Sequence, residues 1–109
     1  MKIAVPAKSA DFNAPLDERF GRCAFFVLYD TATRTHQIFP NPAAGEAHGA
    51  GPKALQAILA AGAAVLIAAR VGENAERALQ GAGLSVVLTD AETVREAVEA
   101  FLKDHLENV

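Results

Sequence analysis

Cysteine is almost absent from this 109-residue chain: Cys23 stands alone, so no internal disulfide forms, and no cysteine cluster marks a zinc ribbon or a complete iron–sulfur cage. A metal held here must bring its own inorganic ligands or borrow few from the protein. Tryptophan is missing and tyrosine occurs once, so the aromatic platform on which unpaired bases stack is not supplied. No block of like charge occurs and the formal net charge is -3, so a phosphate backbone finds no basic stripe. Nucleic acid is therefore not an expected partner. Long apolar runs are lacking too. No stretch of about eighteen apolar residues escapes a charge or a glycine, and Met1 to Pro6 is far shorter than the core of a signal peptide. Neither a membrane nor export is expected, and the cytoplasm is the expected location.

What the chain does have is enough apolar side chain for one core. Hydrophobic residues make up 51% and charged residues 21%, a balance that offsets chain entropy and speaks against disorder. The length suits a single domain, 1–109, and a monomer. Much of the apolar content is alanine, which lets helices pack closely on a sheet.

Lys2 to Val5 reads as a short buried strand closed by Pro6, which cannot donate to a ladder. Ala7 to Arg22 then form a polar connection of a length uncommon unless it is functional. Ala24 to Tyr29 and Thr35 to Phe39 are β-prone runs on either side of a turn-rich stretch, which predicts an antiparallel hairpin. A polar segment from Pro40 to Gly51 precedes a helix with Pro52 in its first position, Leu55, Ile58 and Leu59 on one face, and Gly62 as its stop. Ala64 to Ala68 is a continuous apolar run, the pattern of a central strand buried on both faces. Gly72 to Asn74 open a second helix with Ala75, Ala78 and Leu79 inward, and Leu84 to Leu88 form the last strand. The final helix is predicted to start at a capping box, Thr89 to Glu92, with Val94, Ala97, Val98, Phe101 and Leu102 facing a sheet. The order β-β-β-α-β-α-β-α predicts an α/β fold: a mixed five-stranded sheet covered by helices, with parallel, right-handed crossovers in its second half.

In open α/β sheets ligands sit beyond the carboxyl ends of parallel strands, where helix N-termini point their amides outward. That rule gathers Arg19, Phe20, Gly21, Arg22 and Cys23 after the first strand. To these it adds Gly49, Ala50 and Gly51, next to His48, ahead of the first helix, and Arg70, Val71, Gly72 and Asn74 after the central strand. Glycine, arginine and backbone amide suit a compact anion and offer no general acid or base, so the expectation is binding and not an enzyme. Each residue also has a plainer reading. Glycines at helix starts serve as turns, and Arg19 and Arg22 serve as solvated charges or partners of Asp17 and Glu18. Cys23 packs as a small residue ahead of a buried strand, although an exposed thiol beside Arg22 would have a lowered pKa. His48 is either a loop polar group or a metal ligand, while His36 and His105 read as surface residues. A Walker motif is excluded, because Pro52 separates Gly51 from Lys53 and Ala54 stands where the magnesium-binding hydroxyl belongs. A two-metal nuclease is excluded as well, since the first and central strands carry Ile3, Ala4, Val65 and Ile67 where carboxylates are needed.

Taken in order, Met1 to Pro6, Arg19 to Phe26, Asn41, His48 to Gly51, Gly72 to Ala75 and Thr93 to Ala97 form a pattern spanning nearly the whole chain. On it the chain resembles the dinitrogenase iron–molybdenum cofactor biosynthesis family. The resemblance implies a ribonuclease-H-like three-layer fold without nuclease carboxylates, and a carrier of an anionic metal–sulfur cluster. That cluster would be of molybdenum–copper sulfide, iron–molybdenum or iron–sulfur type, held non-covalently, received from a donor protein and passed to a recipient. The family's Phe-Gly-Arg segment falls on Phe20, Gly21 and Arg22, and its His-Gly-Ala-Gly loop on His48 to Gly51; Cys23 or His48 would be the direct metal ligands. Two departures follow. Many members place a histidine before Phe-Gly-Arg where this chain has Arg19, which trades a metal ligand for a positive charge and favours electrostatic capture. The glycine-rich turn after the central strand reads Ala69-Arg70-Val71-Gly72, with Arg70 as a substitute anion contact. The alternative is a regulatory or scaffold domain that binds a partner protein and whose cleft is vestigial. A phosphate or nucleotide enzyme rests only on the glycine loop and lacks a catalytic group.

Overall fold

The structure, a computed structural model, describes residues 1–105; residues 106–109, which the single-domain expectation included, lie outside the described residues. Strands β1 (Lys2–Ala7), β2 (Phe25–Asp30) and β3 (Thr35–Pro40) precede helix α1 (Ala50–Ala60). Then follow β4 (Ala63–Ala68), α2 (Glu73–Gly81), β5 (Ser85–Leu88) and α3 (Val94–His105). One five-stranded sheet results, in the order β3-β2-β1-β4-β5. The β2–β3 hairpin and the β1–β2 pair are antiparallel, while β1–β4 and β4–β5 are parallel. The mixed α/β sheet expected from the element order is the one observed.

The pleat sorts side chains onto two faces, because successive strand residues point to opposite sides. On one face Ala4, Phe26, Leu28 and Leu66 are covered by Leu55 and Ile58 of α1 and Leu79 of α2. On the other, Ile3, Val5, Val27 and Ile67 are covered by Val94, Ala97, Val98 and Phe101 of α3. Each large apolar side chain buried in these layers contributes on the order of 1.5–3 kcal/mol. Of the inward residues expected for α2, Leu79 is buried but Ala78 is exposed, because the short helix meets its neighbours along a narrow stripe.

Pro6 does not end β1. It lies inside the strand opposite Phe26, in the middle of the sheet. A proline is tolerated there because β4 pairs with β1 only as far as Ala4↔Leu66, whereas β2 follows it to Ala7↔Phe25. Beyond Ala4 the two parallel strands part, and the amide of Asp17 donates to the Pro6 carbonyl at 3.0 Å. Amide and carbonyl of one strand residue face the same side, so the missing N–H of Pro6 faces this gap and not the β2 ladder. The segment between β1 and β2 is likewise no free polar loop. Leu16 bridges Ala7, Pro15 bridges Thr93, and Ala14, Leu16, Asp17 and Phe20 are buried.

Two helix starts fall elsewhere than expected. Pro52 is the third residue of α1, still within the turn whose amides lack intrahelical acceptors, and Gly49 caps the helix with φ +73°. The cap of α3 is Thr93 and not Thr89: the Thr93 hydroxyl accepts from the Glu96 amide at 3.2 Å and donates to the Glu96 carboxylate at 2.8 Å. The box at Thr89 is not used, because the amide of Leu16 binds the Glu92 carbonyl and holds the chain before Thr93 out of helical conformation.

Candidate functional site

Parallel β1 and β4 end at the same edge of the sheet, and the segments that leave them meet the first turns of α1 and α2. They enclose a cleft of about 370 Å³. Its walls are Glu18 to Gly21 after β1, Gly51 from the start of α1, and Arg70 to Gly72 with Ala75 at the turn into α2. An apolar groove of about 350 Å³ continues it between α1 and α2, floored by Leu55 and Leu79, with Phe20, Gly51 and Ala75 common to both hollows.

The segment Phe20-Gly21-Arg22 builds this edge more than it lines it. A Cβ on Gly21 would lie 3.1 Å from the Gly51 nitrogen, 3.2 Å from its Cα and 3.3 Å from the Ala50 carbonyl carbon, so only glycine lets α1 begin this close. Buried Asn41 locks the same stretch: its Nδ2 donates to the carbonyls of Gly21 and Cys23, both at 3.0 Å, and its Oδ1 accepts from the Ala43 amide at 3.0 Å. Arg22 turns away from the cleft and clips the 45–48 loop, donating to the carbonyls of Glu46 at 2.7 Å and Ala47 at 3.1 Å. Lys53 fastens that loop from the other side through Glu46.

The cations at the cleft have partners. Arg19, with its side chain 64% exposed, forks onto Asp17, whose side chain is 2% exposed: Nε–Oδ1 and Nη2–Oδ2 are both 3.1 Å. Burial pushes the Asp17 carboxyl up, but the side chain and amide of Arg19 outweigh it and leave the acid below its ordinary value. Arg70 reaches Glu18 at 3.8 Å with both side chains largely in water, a contact of small energy. Among the described residues no three histidine, cysteine or acidic side chains gather as a metal site.

The family model described as dinitrogenase iron-molybdenum cofactor matches residues 1–104. The chain belongs to that family. Among solved structures, this family member is 40% identical to the apo form of the orange protein of Desulfovibrio gigas, with a TM-score of 0.87 over 94% of this chain and 88% of that one. It is 35% identical to a Thermotoga protein assigned to NifB, with a TM-score of 0.81 over 94% of this chain and 87% of that one. No curated protein matches it. Among the described residues no helix is long and apolar enough to cross a membrane.

Within the family pattern, the structure brings these sequence-derived candidates to the cleft wall: Arg19, Phe20, Gly21, Gly51, Arg70 and Gly72. Asn74 lines the adjoining groove, and Ala50 is buried beneath the helix start. His48 and Gly49 are exposed on the loop that Arg22 clips, outside the cleft wall. Cys23 corrects an expectation. It is 0% exposed, packs in the core beside Phe20 and Phe26, and donates to the Phe20 carbonyl, while burial pushes its thiol up to about 12. It is a packed neutral thiol and not an available ligand. Val71, gathered with Arg70 by the strand-end rule, lines the cleft without polar chemistry, as does Ala75, which the sequence offers as an inward residue of the second helix. Sequence reading passed over the Glu18 contact with Arg70, which no spacing rule could reveal across 52 positions.

Proposed function

We propose that this family member is a non-catalytic carrier that holds an anionic metal–sulfur cluster, of molybdenum–copper sulfide, iron–molybdenum or iron–sulfur type, in the cleft between the starts of α1 and α2. The observation that carries the reading is the convergence of two helix N-termini and Arg70 on one cleft wall. Amides at helix starts attract negative charge, and Arg70 is held by Glu18 so loosely that an incoming anion replaces that contact at little cost. A cleft of about 370 Å³ holds on the order of ten waters, which a compact inorganic guest displaces. With no triad of protein ligands among the described residues, the cluster arrives with its own sulfides and is retained by charge, hydrogen bonds and the apolar wall of Phe20 and Val71. The partners this reading implies are a donor and a recipient protein.

The test is anaerobic loading of metal-free protein with tetrathiomolybdate and copper(I), or with an iron–sulfur donor, followed by gel filtration. The expected outcome is a protein-bound charge-transfer absorption that an Arg70→Glu variant retains about tenfold less tightly. Colourless protein under all these conditions refutes the carrier reading. The alternative, a regulatory or scaffold domain with a vestigial cleft, draws on the neutralisation of Arg19 by Asp17. It predicts a stoichiometric protein partner and metal content near zero.

A further inference from the structure

Across the sheet from the cleft, on the face covered by α3, lies a larger concavity of about 760 Å³. Arg34, His36, Arg95 and Lys103 surround it with, among the described residues, a single carboxylate, Glu99, over a floor that includes Phe12, Tyr29 and Leu102. Among the described residues three lysines and arginines but one acid line it, in a protein of net charge -3. Charge is thus segregated, and the segregation is built. Arg95 donates from Nε to Asn13 Oδ1 at 2.5 Å and lies 4.8 Å over the Phe12 ring, which stacks on His36 at 4.5 Å. None of these contacts involves a carboxylate, so the two Nη groups of a pre-positioned guanidinium keep their capacity for a carboxylate fork. Among the described residues Arg34, Arg95 and Lys103 join no ion pair.

The neighbouring strand narrows the occupant. β3, which carries His36 opposite Tyr29, is an edge of the sheet, and an edge strand presents unpaired amides and carbonyls to an extended chain. We propose that this groove docks an extended acidic segment of a partner protein, which lies along β3, sets carboxylates on Arg34, Arg95 and Lys103, and lays an apolar side chain against Phe12 and Leu102. The proposal is independent of what the cleft carries.

The experiment is fluorescence anisotropy of a labelled peptide of about ten alternating glutamates and valines, titrated with the full-length, metal-free chain. Wild-type protein is expected to bind it, and the same peptide with glutamines in place of glutamates is expected to bind at least tenfold more weakly. Arg95→Gln is expected to weaken binding about tenfold. The double variant Arg34→Asn with Lys103→Gln, which leaves the Arg95–Phe12–His36 stack intact and puts a residue tolerant of left-handed backbone at φ +59°, is expected to weaken it similarly. No binding by the wild type, or equal binding by the double variant, overturns the proposal. Displacement of the peptide by inorganic tripolyphosphate as effectively as by unlabelled peptide overturns it in favour of a small-anion site. Dimerisation of the chain that the double variant abolishes overturns it in favour of a second copy.

Discussion

Cleft and groove each gather arginines, and they use them in opposite ways. At the cleft, Arg19 is committed to the buried carboxylate of Asp17 and Arg70 touches Glu18. In the groove, Arg95 is braced by an amide oxygen and an aromatic ring. A guanidinium with a carboxylate already on it contributes geometry more than field, whereas one held by neutral groups keeps its charge for a visitor. On the two proposed readings the cleft would draw on helix amides, shape and the loosely held Arg70, and the groove on side-chain charge.

The largest expected effect breaks the cleft and spares the groove. Asn41→Ala removes the bonds to the Gly21 and Cys23 carbonyls and the Ala43 amide. Leaving these buried groups unpaired costs about 3 kcal/mol, read as a lower denaturant midpoint, and cluster retention falls while peptide binding at the folded protein persists. Next, Gly21→Ala sets a methyl against the backbone of Ala50 and Gly51, costing about 1–2 kcal/mol and weakening cleft binding by displacing the start of α1. Asp17→Asn then makes the cleft resemble the groove: it frees Arg19, costs about 1 kcal/mol, and is expected to tighten anion retention several-fold with a steeper salt dependence. In the wild type the Asp17 carboxyl lies below its usual 3.8 when folded, so its stabilisation is complete above that value and drains away as pH falls through the lowered one. Acid titration of unfolding should show that limb in the wild type and lose it in Asp17→Asn. The smallest effect concerns Cys23: iodoacetamide should leave the native thiol untouched for hours at pH 8 and alkylate it fully in denaturant. Cys23→Ala should load clusters as the wild type does.

The sheet was legible because its evidence is local: the apolar run Ala64 to Ala68 and the β-prone runs on either side of Asp30 to Arg34 each mark a strand without reference to the rest of the chain. What failed was decided at long range. Two Thr-x-x-Glu boxes precede α3, and only the bridge from Pro15 to Thr93 selects the second. Pro6 reads as a strand end until one knows that β4 has already left. At the site, the cleft's location followed from topology, but the direction of each charged side chain did not. Arg22 is a clip and Arg19 a partner of Asp17 because of where the 45–48 loop and the buried carboxylate come to lie. Cys23 was ambiguous because a small apolar residue and a ligand are spelled alike.

β1 and β4 diverge early, beyond Ala4, and the segment around Leu16 takes the place of β4 beside β1 at the cleft edge. The segments that form its two sides, Glu18 to Gly21 and Arg70 to Gly72, descend from strands that are not laced together at that end. On the carrier reading, a guest wider than the resting gap would be accommodated by these two segments while the strand ladders stay in place, so that uptake would draw on the loops and leave the folded core undisturbed.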